Sequence, residues 1–561
     1  MTTETAPNRR LIRWFIGTAI FTFTVLMHVS FANLGGSGLR LPFNATVWMG
    51  FGVMMALSMW PATRGVIRYS AFHKGLGLLL LALWLPFIWS WNEASLIALP
   101  RMLTVTAGAI LLLGLAQLQL TRRDWWWLGM AILLGALMET ALGYAQMYLP
   151  GLDQWLNYTG TLSRPYGIFQ QVNVMASFLV TGLVISAWLL DEARQSRLER
   201  GVTLLAPLFM PALILVIQSR TGWLATLIAV PMVLAHLWYS DRKRFNAWGG
   251  ALAIGCVLAA IIWWTPWAET SNTIKSSASS AGERFPVYLH SLRMIAEEPI
   301  TGWGYGRFQH DFLFSFADWR AALPINQPEI IDPIITQNYT HPHNELLYWG
   351  IEGGLLPIVA ITAFSGWLGW RLWQNGRTGG SLLFTALLLP LALHSLTELP
   401  FYHSQAHWLV FILLVGMAAS IRWSTQKIKN HYTFGVRVGA LFAMPLLLVF
   451  MGTHLQAIHV FATNATSEGA VYDTRGIINP LGTPSLINRT NILLNLNNSI
   501  SSKNKREAKN FANELEEEFS QRPYYVILKK LTESYRFIND KEKLRRTELV
   551  GEYIYPGKMG N

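Results

Sequence analysis

The strongest constraint on this chain is a series of long apolar runs, each of a length that suits a membrane-spanning helix. Such a helix needs roughly 17–25 apolar residues, and by that measure the chain has about thirteen runs. Only 14% of its 561 residues are charged, whereas soluble chains carry about 25%. The sequence therefore predicts an all-α polytopic membrane protein. The predicted spans are residues 14–33, 43–60, 75–91, 102–120, 125–148, 168–190, 202–219, 222–239, 248–265, 346–370, 381–399, 406–421 and 437–457.

Positive residues in the short connections predict the orientation of the spans, because cytoplasmic connections carry an excess of Lys and Arg. With the N-terminus in the cytoplasm, every alternate connection is rich in these residues. This distribution accounts for the net charge of +12 without nucleic acid. The first run follows Arg9, Arg10 and Arg13 without a convincing cleavage site, which indicates a retained signal-anchor helix. The basic connections are Arg64/Arg68/Lys74, Arg122/Arg123, Arg194/Arg197/Arg200, Arg242/Lys243/Arg244, Arg371/Arg377 and Arg422/Lys427/Lys429/Arg437.

Two polar segments are then predicted to lie in the periplasm. One is the long loop of residues 266–344, and the other is the C-terminal region from Phe461. We expect a membrane domain over residues 1–460, which includes the long loop, and a periplasmic helical region over residues 461–561. In the latter, a charged helical pattern precedes Pro523 and an amphipathic one follows it, which predicts a helical hairpin.

Polar side chains at membrane depth are costly and need a reason. Five polar groups lie at span ends, or in the long loop, on the predicted periplasmic side. Their convergence on one face of the membrane suits an anionic, lipid-linked substrate. The five groups are Arg164 with Phe169–Asn173, Ser219–Gly222, Gly282–Phe285 with Glu298–Gly306, His341–Glu345 and His394–Pro400.

Two residue types in these groups suit chemistry on a phosphorylated substrate. The planar guanidinium of Arg220 can bind phosphate through two hydrogen bonds, although snorkelling to the interface is the alternative. A histidine such as His343 can act as a general base, although packing at the interface is the alternative. His341 and His343 lack matching third and fourth ligands, so no metal site is expected. Asn344 is predicted to cap the next helix.

Each of the remaining polar residues has either a structural or a ligand-binding interpretation. Gln171 and Asn173 at the start of a span either join neighbouring helices or bind glycan hydroxyls. His394 and Glu398 are spaced to share one helix face, and such a pair either belongs to the site or holds helices together. The glycines and aromatic residues of Gly302–Gly306 predict a tight turn whose rings face a sugar or the membrane interface.

The order of these motifs resembles a known family. Between Arg164 and Phe401 they read FQQxN, SRTG, GERF with EEPxxGWGxGxF, HPHNELL and HSLTELPF. This set is similar to the O-antigen ligase/polymerase-type superfamily, and within it to the PglL-like pilin and protein O-oligosaccharyltransferases. An RPY-like turn, here Arg522–Tyr524, adds to that likeness.

The resemblance implies a multi-helix fold related to the GT-C glycosyltransferases, in the bacterial inner membrane. It also implies transfer of a glycan from undecaprenyl-pyrophosphate to a periplasmic acceptor, with no cofactor, nucleotide sugar or obligatory metal. By motif, Arg220 and Arg284 would contact the pyrophosphate, and His343 would be the base. The supporting site residues would be Arg164, Gln171, Asn173, His341, Asn344, His394 and Glu398.

The acceptor stays open at this point. Ser or Thr hydroxyls of a pilin-like periplasmic protein are favoured by the C-terminal region, although that region is shorter than in many protein-glycosylating members. Lipid A-core, as in an O-antigen ligase, or a growing glycan, as in a polymerase, are the alternatives. A transporter without chemistry is a more remote alternative, because such proteins often show internal repeats and none is evident here.

Overall fold

The computed structural model describes residues 7–149, 164–191, 195–264, 280–322, 339–374, 380–464 and 474–558. Within these ranges the chain is almost entirely helical, so the predicted all-α polytopic fold is confirmed. The sequence did not predict a small antiparallel sheet, in which β1 (Val66–Tyr69) pairs with β2 (Gln426–Lys429) so that Val66 lies opposite Lys429.

The helices described up to residue 264 are α1 (Arg9–Thr24), α2 (Pro42–Met59), α3 (Ala71–Trp84), α4 (Phe87–Ser90), α5 (Ser95–Leu118), α6 (Arg122–Tyr148), α7 (Val172–Leu190), α8 (Arg197–Ile217), α9 (Arg220–Ser240) and α10 (Arg242–Trp263). Those after it are α11 (Ser280–Glu297), α12 (Phe308–Ala321), α13 (Glu345–Gly353), α14 (Leu355–Gln374), α15 (Gly380–Ser395), α16 (Pro400–His403), α17 (Gln405–Arg422), α18 (Thr433–Thr463), α19 (Pro484–Ser501), α20 (Lys505–Gln521), α21 (Tyr525–Ile538) and α22 (Lys541–Ile554).

Twelve helical segments in the described ranges are long and apolar enough to cross a membrane. They correspond to twelve of the predicted spans, while the span predicted at 381–399 corresponds to a shorter apolar helix, Ser381–Ser395. The span predicted at 346–370 begins too early. Gly354, with φ 76°, interrupts the helix there, so the candidate span is α14 and the short helix α13 precedes it.

The chain divides into two compact units. The first unit comprises residues 1–80, 104–274 and 363–459. Its core lies among the spans, and α7 is buried along nearly its whole length. A helix that is apolar on every side, as α7 is, needs neighbours all round it when it lies inside a bundle. The polar residues at its start are therefore placed among other helices.

The second unit comprises residues 81–103, 275–362 and 460–561. The boundary at 460 lies beside the predicted domain boundary, although residues 81–103 and 275–362 group with the C-terminal region. One apolar cluster joins α11, α12 and α13, and another joins α19, α20 and α21. The predicted hairpin is present as α20 and α21, and Asn539 in the left-handed conformation ends α21, so the second predicted helix is divided in two.

The predicted tight turn at Gly302–Gly306 is confirmed. Gly302, Gly304 and Gly306 have φ values of 63°, 102° and 81°, which residues with a Cβ rarely adopt. Tyr305 within the turn is fully buried, and its hydroxyl donates to the Leu83 carbonyl at 2.7 Å. The prediction that the rings face a sugar or the interface is therefore wrong for Tyr305, whose ring lies in the core of the second unit.

We predict that Gly306→Ala destabilises the protein. A Cβ at Gly306 would overlap the Ala94 carbonyl oxygen, and the positive φ adds strain of about 1–3 kcal/mol. Thermal denaturation of the purified protein in detergent should show a lower Tm. The matched control is Gly366→Ala, because a Cβ there meets no atom within 4 Å. Equal Tm values for the two variants would contradict this reading of the turn.

Candidate functional site

The residues predicted for the site fall into two sets, one in each unit. The first unit holds Arg164, Gln171, Asn173, Arg220, His394 and Glu398, and the second holds Arg284, His341, His343 and Asn344.

The Ser219 side chain joins two of the sequence motifs in the first unit. Its hydroxyl donates to Asn173 Oδ1 at 2.7 Å and accepts from the Gly222 N–H at 3.1 Å. Ser219 thereby caps α9, and Gln218 ends α8 in the left-handed conformation, so the predicted break between these helices is confirmed. Gln171 caps α7 in the same manner by accepting from Val174 N–H at 2.7 Å. Asn173 therefore bonds to a neighbouring segment and Gln171 to its own helix start.

Two arginines lie close together beside this break. Arg164 Nη1 donates to the carbonyls of Ile217 and Gln218 at 3.3 and 3.2 Å, which satisfies the end of α8. Burial, and then the nearby charge of Arg220, lower the pKa of Arg164. Arg220 is exposed at the first position of α9, and it makes no hydrogen bond or ion pair with the described residues. A helix start with two adjacent guanidinium groups attracts anions.

A buried hydroxyl links two histidines to α7. Ser177 Oγ lies 2.7 Å from His394 Nδ1 and 3.1 Å from His407 Nε2, and the latter atom also lies 3.0 Å from the Val174 carbonyl oxygen. His394 and His407 are both fully buried. This arrangement favours a role for His394 in holding α7, α15 and α17 together, and His407 is a polar residue that the sequence analysis missed.

The turn after α15 contacts the Ser219–Gly222 motif. Thr397 Oγ1 lies 2.9 Å from Thr221 Oγ1, next to Arg220. Helix α15 ends at Ser395, so Glu398 lies beyond it. The Glu398 N–H still donates to the His394 carbonyl at 2.8 Å, which is the hydrogen bond of an α-helical turn. That His394 and Glu398 share one helix face stays a prediction.

Two further missed residues hold the segment that leads into α7. Glu139 Oε2 accepts from Ile168 N–H at 3.1 Å, and Gln146 Oε1 accepts from the N–H groups of Tyr166 and Gly167 at 3.0 and 2.9 Å. Glu139 is fully buried within α6. Its presence inside an apolar run is a signal that could have found it, since a carboxylate at membrane depth needs a partner.

In the second unit, His343 is held in a restrained conformation. Its φ is 55°, in the left-handed region that few residues other than glycine adopt. Its N–H donates to His341 Nδ1 at 3.2 Å, and its carbonyl accepts from the Tyr288 hydroxyl at 3.0 Å. Asn344 Oδ1 accepts from Leu347 N–H at 3.0 Å, so the predicted helix cap is confirmed. The backbone of His343 is therefore fixed on both sides.

Two charged residues accompany this turn. Arg284 precedes Tyr288 by four residues in α11, so both lie on the same helix face. Glu345 is the first residue of α13, and burial raises the pKa of its carboxyl to about 7, although Arg101 and Trp349 act in the opposite direction. A carboxyl that titrates near neutral pH directly follows the His343–Asn344 pair, which the sequence analysis did not predict.

The Arg101–Glu352 ion pair stabilises the part of the second unit that carries the second set of residues. Both side chains are buried, and Glu352 also accepts from Gly306 N–H at 3.0 Å. The Arg101 guanidinium lies 4.2 Å from the centre of the Trp349 ring. This pair fixes α13 against the glycine turn, and neither residue was among the predicted site residues.

Comparison with protein families finds three matches in chain order. The family described as protein glycosylation ligase matches residues 165–190, O-antigen ligase matches 205–364, and virulence factor membrane-bound polymerase, C-terminal, matches 382–559. A general O-oligosaccharyltransferase of Acinetobacter baylyi is 25% identical over 288 residues, which are 47% of this chain and 46% of that protein. The chain thus spans about half the length of that curated relative. These matches confirm the resemblance that the motifs predict.

We predict that His290 makes the stability of the second unit pH-dependent. His290 lies in α11 with Arg284 and Tyr288, and it is fully buried against Phe312. Burial lowers its pKa to about 4, only partly offset by the bond to the Phe312 carbonyl. The unfolded chain gains a proton below about pH 6.5 and the folded chain does not, so stability falls by roughly 3 kcal/mol as pH drops from 6.5 to 4.

Thermal denaturation between pH 7 and 4.5 measures this effect. His290→Phe should reduce the fall in Tm, whereas His431→Phe, at an exposed position, should leave it unchanged. An unaltered pH profile in His290→Phe would show that His290 is not the responsible group.

Proposed function

We propose that this chain, which is related to the O-oligosaccharyltransferase and O-antigen ligase families, transfers a glycan from undecaprenyl-pyrophosphate to hydroxyl groups of periplasmic acceptors. The observation that carries the proposal is the pair of adjacent arginines at the start of α9. Hydrogen bonds from Ser219 and Thr221 tie this helix start to the motifs around Asn173 and Thr397. Three of the five polar motifs therefore meet at one cationic position.

The arginines suit the donor. Arg220 is exposed and has hydrogen-bonding capacity to spare, so its guanidinium can bind a pyrophosphate oxygen through two N–H groups. Arg164 adds positive charge from a buried position and, since it also bonds to the end of α8, is well fixed. Arg284 in α11 is assigned to the same pyrophosphate by its motif. Binding to the leaving group stabilises the charge that develops as the bond between sugar and phosphate breaks.

His343 suits the role of base. In the proposed step, the acceptor oxygen forms a bond to the anomeric carbon, the bond from that carbon to the phosphate oxygen breaks, and undecaprenyl-pyrophosphate leaves. The hydroxyl proton passes to the His343 imidazole. Hydrogen bonds with Tyr288 and His341 restrain its backbone, and the rings of His341 and Tyr339 pack edge-on against its imidazole. A base that is already restrained needs little reorganisation during transfer.

The orientation and the acceptor complete the proposal. The excess of Lys and Arg in alternate connections supports a periplasmic site in a bacterial inner membrane. The match to a protein glycosylation ligase over 165–190 favours a protein acceptor, and the name of the Acinetobacter relative, a general O-oligosaccharyltransferase, favours transfer to hydroxyl oxygens. The proposed acceptors are therefore Ser or Thr hydroxyls of periplasmic proteins such as pilin. The longer match to O-antigen ligase favours the second candidate function, transfer to lipid A-core.

We predict that His343→Ala lowers glycan transfer by about 10²–10⁴-fold, the usual contribution of a general base. The measurement is the initial rate of transfer in membranes that contain equal amounts of folded protein. His431→Ala is the matched control, because that histidine is exposed in a turn of the first unit.

In the same assay, Arg220→Lys distinguishes the contribution of the positive charge at this position from that of the planar guanidinium. It keeps the charge and loses the planar fork, so the rate should fall although less than for Arg220→Ala. Wild-type transfer rates in His343→Ala would remove the base assignment, and wild-type rates in Arg220→Ala as well would contradict the enzymatic proposal.

The acceptor is predicted to be a protein. Deletion of the chain in its native cell should abolish the glycosylated forms of pilin-like or other periplasmic proteins, detected by mass spectrometry of the intact proteins. Long-chain lipopolysaccharide should persist in the same cells. Loss of long-chain lipopolysaccharide with unchanged protein glycosylation would instead establish the lipid A-core function.

A further inference from the structure

A cavity of about 350 Å³ lies in the first unit at the end of α17 remote from His407. His407 and Ser420, which lines the cavity, are thirteen residues apart in this helix, or about 20 Å at the rise of an α-helix. The cavity is therefore separate from the motif residues at the start of α7 and α9. Its polar lining residues are Ser70, His73, Gln119, Ser420, Ser424 and Thr425.

The cavity lining combines hydrogen-bonding groups with aromatic rings and contains no carboxylate. Trp125 and Trp423 contribute the large rings, and Phe72 adds a third. The surface that the lining exposes is more polar than apolar, and convergent polar groups beside aromatic rings are typical of sites that orient a small ligand. The apolar part suits the glycerol and first methylenes of a lipid, and the hydroxyls suit its polar headgroup.

Three arginines surround the cavity without lining it. With its amide oxygen turned toward Arg68, Gln119 accepts from Nη2 and Nε of that residue at 3.0 and 3.2 Å. The Arg371 guanidinium lies 5.3 Å from the centre of the Trp423 ring, and its Nη2 donates to the Arg422 carbonyl at 3.4 Å. The Nε groups of Arg371 and Arg422 are buried, and neither has a hydrogen-bond partner within the described ranges. Because these arginines lie behind the lining, they place positive charge beside the cavity, and that charge favours an anionic group within it.

We propose that this cavity binds the phosphate of an anionic phospholipid headgroup. Basic pockets between spans at the cytoplasmic end of membrane proteins bind such headgroups, and the connections beside this cavity are among those with excess Lys and Arg. The site is independent of the glycan-transfer proposal, because it uses none of the residues assigned to that reaction. A bound lipid would hold α3, α5, α6 and α17 together, since the lining residues come from the ends of these helices and the segments beside them.

Native mass spectrometry of the purified, delipidated full-length chain tests the proposal. Phosphatidylglycerol, phosphatidylethanolamine and inorganic phosphate are titrated separately. We expect one phosphatidylglycerol to bind at least about tenfold more tightly than phosphatidylethanolamine, because the ammonium group of phosphatidylethanolamine would meet nearby arginines and a lining without a carboxylate.

Two variants probe the site and one controls for charge. Ser420→Phe fills the cavity and should abolish the tight binding, and Arg371→Gln removes one nearby positive charge and should weaken the binding by about fivefold. Arg13→Gln removes an exposed positive charge that lies outside the cavity and should leave binding unchanged. The Arg371 variant keeps the cavity volume, so it remains informative if Ser420→Phe does not fold.

Three results would overturn the proposal. The first is equal affinity for the two phospholipids, and the second is unchanged binding in Arg371→Gln. The third is tight binding of inorganic phosphate that displaces phosphatidylglycerol, which would identify a soluble phosphate compound as the ligand.

Discussion

The hydroxyl of Ser219 is the contact on which the arrangement of the first unit's site depends. In an apolar bundle, each backbone group and polar side chain needs a partner within the protein. Ser219 supplies two at once, because it caps α9 and binds Asn173 at the start of α7. These two hydrogen bonds fix the start of α9, and so they fix the position of Arg220, its exposed first residue. Without them, the helix start would be unsatisfied and the guanidinium would have no fixed position.

In the second unit, an ion pair holds the segments beside the proposed base in place, as Ser219 does beside Arg220. Glu352 accepts from the N–H of Gly306 and pairs with Arg101, so the glycine turn and α13 are joined at one buried carboxylate. Removing one partner of such a pair leaves an uncompensated buried charge, which is strongly destabilising. The short helix that this pair anchors begins directly after His343 and Asn344, so the position of the proposed base depends on it.

Much of the fold follows from the sequence, because the apolar runs are long and the polar groups between them are few. The Asn344 cap and the break at Ser219 were also predictable, since both depend on residues within three positions along the chain. Partners that are far apart in sequence were not predictable. Ser177 binds His394 across 217 positions, and this contact suggests a structural role for a histidine assigned to the site by its motif alone.

Local backbone conformation was the second feature that could not be predicted from the sequence. The apolar run predicts one continuous span over residues 346–370, whereas the positive φ of Gly354 interrupts the helix within it. Glycan transfer by this chain is tested most directly by reconstitution of the purified protein in liposomes with undecaprenyl-pyrophosphate-glycan and a pilin acceptor. We predict that glycosylated pilin and free undecaprenyl-pyrophosphate form in equal amounts. Formation of neither product by the folded protein, with lipid A-core or pilin as acceptor, would contradict it.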